Sequence, residues 1–325
     1  MPRHVIIDTD PGVDDALALI LALQSPELCV DAITTVSGNV PVDLATRNAL
    51  TVLGLFPAAR RPLVASGADR PLTRPPNPAA HVHGDDGLGG MALAHTADGR
   101  PRYPPAAGAL MAVDAVTCIL DSIRRAPGEL TLVALGPLTN LALALRRDVG
   151  TVRRLAGVVI MGGAVTVPGN VTPVAEFNVY VDPEAAREVF AAGLPLTVVG
   201  LDVTERVRLT AEMIERQVRP LGSQLGHFVT ECTAHTIRFS TRVERPPGMA
   251  MHDPLAVGML IEPEIVCTSP FSIQVETTGE LTTGMLVADR RPLRSARKAP
   301  PNARVALDVE AGRFLELFLS RLQQP

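Results

Sequence analysis

The chain has 325 residues, enough for one large α/β domain or two ordinary ones, and 46% of them are hydrophobic. Aromatic residues make up only 3% and Trp is absent, so the core must be built from Ala, Leu and Val. A net charge of −4 gives no electrostatic case for nucleic acid or an anionic membrane surface, and no apolar run reaches the roughly 18 residues that a membrane span needs.

Apolar, β-rich runs at residues 5–7, 30–36, 130–135, 155–161 and 196–201 predict strands, and between them helical patterns fall at 14–24, 42–55, 109–125, 138–146 and 183–191. This alternation predicts an α/β fold: an open, mostly parallel Rossmann-like sheet with helices on both faces. Residues 70–105, dense in Pro, Gly and Asp, break the rhythm and read as a functional loop or lid. Polar helical patterns fill 211–242, and a Pro-rich turn follows at 245–248. Short strands are expected over 265–308, and a helix at 311–323 closes the chain. With no internal repeat or charged linker, the expectation is a single domain, residues 1–325, with a strand-rich C-terminal extension.

The four cysteines, Cys29, Cys118, Cys232 and Cys267, are widely spaced without a CxxC pair. Buried free thiols in a reducing compartment are expected, and with no signal peptide ahead of the first strand the localisation reads as cytoplasmic.

In open parallel sheets, ligands sit beyond the carboxyl ends of the strands, and chemistry-bearing residues cluster there in this sequence. The first strand runs into DTDPGVDDA, which holds Asp8, Asp10, Asp14 and Asp15. Helix N-termini favour anions, but four carboxylates within eight residues call for more than a helix cap, and hard oxygen donors suit Ca²⁺ or Mg²⁺. A rival reading is a phosphatase of the haloacid-dehalogenase type, with Asp8 as nucleophile and Asp10 as acid. That chemistry wants a lysine in mid-chain, and the sole lysine is Lys298. A non-catalytic nucleoside- or sugar-binding protein is the alternative from outside the enzymes.

Later strand ends carry Ser37-Gly38-Asn39, Gly136-Pro137-Leu138-Thr139-Asn140 and Met161-Gly162-Gly163, while the long loop carries His81 and His83. Asn170 and Glu176-Phe177-Asn178 follow, and His252-Asp253-Pro254 opens an apolar helix. Several amides and a carboxylate beyond one sheet edge suit a polyhydroxylated ligand, because a site built to pair hydroxyls rejects analogues that lack them. Asp253 could reach the same cation as the aspartate cluster, and His252 could donate a proton near neutral pH.

Taken together, these segments resemble the nucleoside hydrolases, the inosine-uridine preferring N-ribohydrolases, from residue 5 to at least residue 287. The resemblance implies Ca²⁺-dependent hydrolysis of ribonucleosides to ribose and free base. It implies a Ca²⁺ ion held by Asp10, Asp15, Asp253 and the backbone carbonyl of Leu135, and bound also by the ribose 2′- and 3′-hydroxyls and one water. Asp14, Asn39, Asn170, Glu176 and Asn178 would hold the sugar and His83 would line the base pocket. Asp10 is the candidate base for the attacking water and His252 the candidate acid for the departing base. Family members are commonly homodimers or homotetramers. The aromatic side chains that purine-acting members offer the base are missing: residues 224–242 supply only Phe228, His235 and Phe239, so the inosine, uridine and cytidine type is expected.

Overall fold

The computed structural model describes residues 1–243, 247–291 and 299–324; Lys298 and the start of the 245–248 turn lie outside the described residues. The first half contains β1 (Arg3–Thr9), α1 (Val13–Leu23), β2 (Leu28–Thr35), α2 (Val42–Gly54), β3 (Leu63–Ser66), α3 (Ala80–His83), α4 (Ala115–Arg125), β4 (Thr131–Ala134), α5 (Thr139–Val152) and β5 (Gly157–Met161). The second half continues with α6 (Phe177–Val181), α7 (Pro183–Ala191), β6 (Leu196–Val199), α8 (Leu201–Thr204), β7 (Arg208–Leu209), α9 (Ala211–Met213), α10 (Gln224–Val243) and β8 (Met249–Ala250). It ends with α11 (His252–Ile261), β9 (Val266–Phe271), β10 (Ile273–Val275), β11 (Leu286–Ala288), β12 (Ala303–Val309) and α12 (Ala311–Leu322).

Among the described residues the principal sheet has eight strands in the order β3-β2-β1-β4-β5-β6-β12-β9. Every pairing in it is parallel except β12 with β9. The central strands are short apolar runs because both of their faces are covered. Alternate residues supply two separate cores: Val5, Ile7, Val133, Val159 and Met161 pack with α1, α10, α11 and α12. Ile6, Leu132, Ala134, Val158 and Ile160 pack with α4, α5 and α7 on the other side. Helix α1 lies deepest, buried from Val13 to Ala22, which is why its sequence is apolar nearly all round. The small pair β10–β11 is antiparallel and belongs to the strand-rich C-terminal part.

Several expected elements shift for local reasons. The helix expected over 109–125 starts only at Ala115, where the Asp114 carboxylate caps it by accepting from the Thr117 amide at 2.8 Å. The strand expected over 196–201 stops at Val199, since Gly200 is extended and opens α8. The helix expected over 138–146 runs on to Val152 through a break at Asp148. The polar helix expected over 211–242 is not continuous: after α9 comes a π turn (Ile214–Val218) and a 3₁₀ turn (Arg219–Leu221), and Gly222 adopts φ +62°, a left-handed stop that glycine takes without steric cost. Strand β3, four residues between Pro62 and Gly67, lacks a pattern long enough to mark it. Of the thiols, Cys118 and Cys232 are buried as expected, but Cys29 is half-buried and Cys267 is exposed. No helix among the described residues is long and apolar enough to cross a membrane.

Candidate active site

The chain steps outward from β1 to β2 and β3 and then returns to place β4 on the other side of β1. That reversal opens a crevice beyond the carboxyl ends of β1 and β4, the topological switch point at which such sheets bind ligands. A cavity of about 400 Å³ lies there, and its walls include Asp14, Asn39, His83, Asn170, Glu176 and Asn178. Leu135, His252 and Asp253 also border it. The residues singled out as sugar or base contacts therefore converge from segments spread between residue 14 and residue 178.

The four aspartates of the first motif divide their work. Asp8, fully buried on β1, accepts from the Thr34 hydroxyl at 2.6 Å and the Asn140 amide at 2.8 Å. Burial pushes its pKa up to about 6, and those two donors oppose the shift. Both donors reach Oδ1 and Oδ2 is buried without a partner; Asp8, Asp10 and Asp15 are all fully buried and stand behind the cavity wall rather than on it. Asn140 also donates to the Thr35 carbonyl at 2.9 Å and accepts from the Ala68 amide at 2.9 Å, so it ties three strand ends together.

Asp15, in the first turn of α1, is a fully satisfied carboxylate. It accepts from the Thr9 hydroxyl, the Gly12 amide at 2.9 Å and the Asn39 side chain at 3.1 Å. Asp10 accepts from the Asn39 amide at 2.6 Å through one oxygen, while its other oxygen is buried without a partner. Gly38 and Gly136 make room for it: a Cβ on Gly136 would stand 2.5 Å from Asp10 Oδ1, and one on Gly38 would overlap Oδ2. One oxygen of Asp14 is likewise buried and unpartnered.

Carboxylate oxygens of Asp14, Asp15 and Asp253 lie within 4.8 Å of one another. Asp253 reaches this group from the first turn of α11, where the helix dipole favours an anion. Burial and then the Asp15 charge raise the Asp14 pKa to about 6. Burial and the charges of Asp14, Asp15 and Asp10 push Asp253 well above the usual carboxylate range, and burial with Asp15 does the same to Asp10. Repulsion among buried carboxylates with unpartnered oxygens is what a divalent cation would relieve, and an all-oxygen donor set suits a hard one. Asp10 stands beside this set rather than within it. The Leu135 carbonyl accepts from the Asn178 amide at 2.6 Å and keeps a second lone pair.

Most of the remaining groups are held by backbone. Glu176 caps α6 and accepts from the amides of Gly163 at 2.8 Å, Asn178 at 2.9 Å and Val179 at 3.2 Å. Asn170 accepts from the Phe177 amide at 3.0 Å. His83 is buried against Gly12, and its Nδ1 accepts from the Val13 amide at 3.1 Å. Burial drops its pKa to about 4, so the ring is neutral with the proton on Nε2. Its 3.7 Å approach to Asp14 is then no ion pair. His252 Nδ1 lies 2.8 Å from the Thr204 hydroxyl, which fixes the plane of the ring at the cavity rim.

A protein-family model described as inosine-uridine preferring nucleoside hydrolase matches residues 5–316. The chain belongs to this family. The pyrimidine-specific ribonucleoside hydrolase RihA of Salmonella gallinarum is 41% identical over 99% of both chains. Among solved structures, the purine-preferring ribonucleoside hydrolase from Gardnerella vaginalis is 33% identical with a TM-score of 0.88, over 99% of this chain and 98% of that one. An inosine-guanosine nucleoside hydrolase is 29% identical with a TM-score of 0.86, over the whole of both chains. This nucleoside hydrolase therefore acts on the N-glycosidic bond of ribonucleosides, and the acidic cluster is where a metal could bind.

Sequence reasoning missed part of the hydrolase's cavity. Asn77, Glu205 and Met249 border it, and no motif marks them. Phe239 does border it, edge-on to His81 with ring centroids 5.7 Å apart. His235, one turn earlier on α10, instead borders a separate hollow with the 84–90 loop. Phe228 is core, packed edge-on against Tyr103.

Proposed function

We propose that this nucleoside hydrolase is Ca²⁺-dependent and acts on the inosine, uridine and cytidine type of substrate, with pyrimidine ribonucleosides preferred. The observation that carries the reading is the gathering of three carboxylates from α1 and α11, two of which, Asp14 and Asp253, border the cavity together with Asn39 and Asn178. When bound there, the cation supplies positive charge that grips the vicinal ribose hydroxyls and makes a nearby water more acidic. Asp10, Asp15, Asp253 and the Leu135 carbonyl are the proposed ligands, and the position of Asp14 makes it a ligand or the first hydroxyl reader.

Asn39, Asn170, Glu176 and Asn178 orient the sugar, their rotamers fixed by the hydrogen bonds described above. Breaking the bond builds oxocarbenium-like positive charge on ribose and negative charge on the base. The carboxylates below the sugar stabilise the first of these electrostatically. The free oxygen of Asp10 takes the proton of the attacking water. His252, held by Thr204, delivers a proton to the departing base, and His83 offers Nε2–H to the base pocket.

The base preference rests on two supports. No Trp exists in the chain and neither Tyr borders the cavity, leaving Phe177 and Phe239 as its carbocyclic rings. The RihA relative at 41% identity is named as pyrimidine-specific. The same reading takes the chain as one catalytic domain, residues 1–325, in a cytoplasmic homodimer or homotetramer. The test is free-base release from uridine, cytidine, inosine, adenosine and guanosine in excess Ca²⁺. Uridine and cytidine ahead of every purine support the proposal, and guanosine or adenosine in first place overturns the preference.

A further inference from the structure

A second cluster of potential ligands lies at the opposite end of the sheet from the cavity. In the parallel ladder of β1 and β2, His4 stands opposite Cys29 and Val5 opposite Val30, but Ile6 stands opposite Ala32. Asp31 is thus an extra residue in β2, a bulge of the kind that re-aims a side chain. Its carboxylate approaches His4 Nδ1 at 2.9 and 3.1 Å, and the Cys29 thiol donates to it at 3.5 Å. One donor atom from each of the three residues lies within 4.8 Å of the other two.

We propose that His4, Cys29 and Asp31 form a second metal site, for a borderline-soft divalent cation of the zinc class, built on the β1–β2 bulge and separate from the catalytic cluster. The donor chemistry argues for it: one imidazole, one thiolate and one carboxylate match zinc or cobalt, whereas the catalytic cluster offers oxygen alone. The spacing argues for it too. Atoms bound to one tetrahedral zinc at about 2.0–2.3 Å stand roughly 3.3–3.8 Å apart, so small rotations of these side chains would close the site. Access is open, since the His4 side chain is 44% exposed and that of Asp31 26%, which leaves room for a water as fourth ligand. Binding deprotonates the Cys29 thiol, and that proton leaves to solvent. Six residue-to-residue steps of about 3.3 Å each, along β1 and just beyond it, separate His4 from Asp10, roughly 20 Å, so the two sites can fill independently. A plain His4–Asp31 ion pair would need neither Cys29 nor the bulge, and half-exposed pairs add little to stability.

The test uses the full chain, reduced and stripped with chelator, and titrated with Co²⁺. Thiolate-to-cobalt charge transfer in the near ultraviolet reports the sulfur ligand, which the catalytic cluster lacks. The expected result is a band saturating near one equivalent in the wild type and in Cys267→Ser, which removes the exposed thiol. Cys29→Ser should lose the band entirely and His4→Ala should bind at least tenfold more weakly, while Cys29→Ser keeps wild-type hydrolysis in Ca²⁺. Absence of the band in the wild type, its persistence in Cys29→Ser, or its loss only in Cys267→Ser overturns the proposal.

Discussion

Gly38→Ala puts one methyl group into the most tightly packed part of the site. The new Cβ would overlap Asp10 Oδ2 and stand 2.8 Å from both Asp10 Cγ and Pro137 Cδ. Carbon contacts settle at about 3.5–4.0 Å, so something must move by about 1 Å. Pro137 is held between the Leu135–Gly136 strand end and α5, which leaves the Asp10 carboxylate and the 37–39 turn to give way. The motion breaks the 2.6 Å bond from the Asn39 amide, a charge-assisted bond worth roughly 1.5–3 kcal/mol. It also displaces the proposed base, and a 1 Å misplacement costs about 10²-fold in rate. The expectation is a fall in kcat/KM of about 100-fold, or about 2.7 kcal/mol, carried mainly by kcat, with a lower Tm. Gly312→Ala is the control, because a Cβ there meets nothing and α12 is a helix that alanine favours. Steady-state kinetics on uridine with thermal melts of both variants make the comparison. A Gly38→Ala enzyme within threefold of wild type would refute the placement of Asp10.

Three more perturbations separate the parts of the site. Phe239→Ala removes a ring that borders the cavity beside His81; it should reorder the bases by KM while ribose inhibition stays constant, and equal losses on every nucleoside would count against a base-pocket role. His252→Ala should lower kcat by about 10²–10⁴-fold without loss of Ca²⁺ affinity, and Thr204→Val, which frees Nδ1, should produce a smaller fall in the same direction. Asp148 tests stability far from the chemistry: the Thr151 hydroxyl and amide, with Arg124, hold its pKa down to about 2. Because the folded value lies below the unfolded one, its contribution is present above about pH 4 and is lost as pH falls toward 2. Asp148→Asn should therefore melt below wild type at pH 7, with the gap narrowing below about pH 4 and closing as pH reaches 2, and a gap independent of pH would contradict the assignment.

What the sequence made legible was chiefly what strand ends encode locally. Short apolar strands flanked by amphipathic helices imply the parallel sheet, and the rule that ligands sit beyond carboxyl ends collects Asp10, Asn39, Leu135 and Met161 before any coordinates. Asp253 follows from the His-Asp pair at a helix start. The division of labour within DTDPGVDDA was less visible, because it depends on distant donors: Asp8 is claimed by Asn140, 132 residues away. The gathering of Asp14 with Asp15 and Asp253, leaving Asp10 beside them, depends on the angle at which α1 leaves the loop. Residues Asn77, Glu205 and Met249 reach the cavity from segments without periodicity or motif. Phe239 and His235 are four apart on one helix, yet only the packing of α10 against the 84–90 loop decides which borders the cavity.

The aspartates gathered beside the cavity are proposed to hold the Ca²⁺ on which hydrolysis depends. The most direct test is calorimetric Ca²⁺ titration of the chelator-stripped enzyme, with uracil release from uridine followed over the same series, for wild type and Asp253→Asn. One Ca²⁺ per chain, turnover that returns in step with occupancy, and a variant that neither binds nor turns over are predicted. Full turnover in the stripped wild type, or Ca²⁺ binding undiminished in Asp253→Asn, would contradict that role for the aspartates.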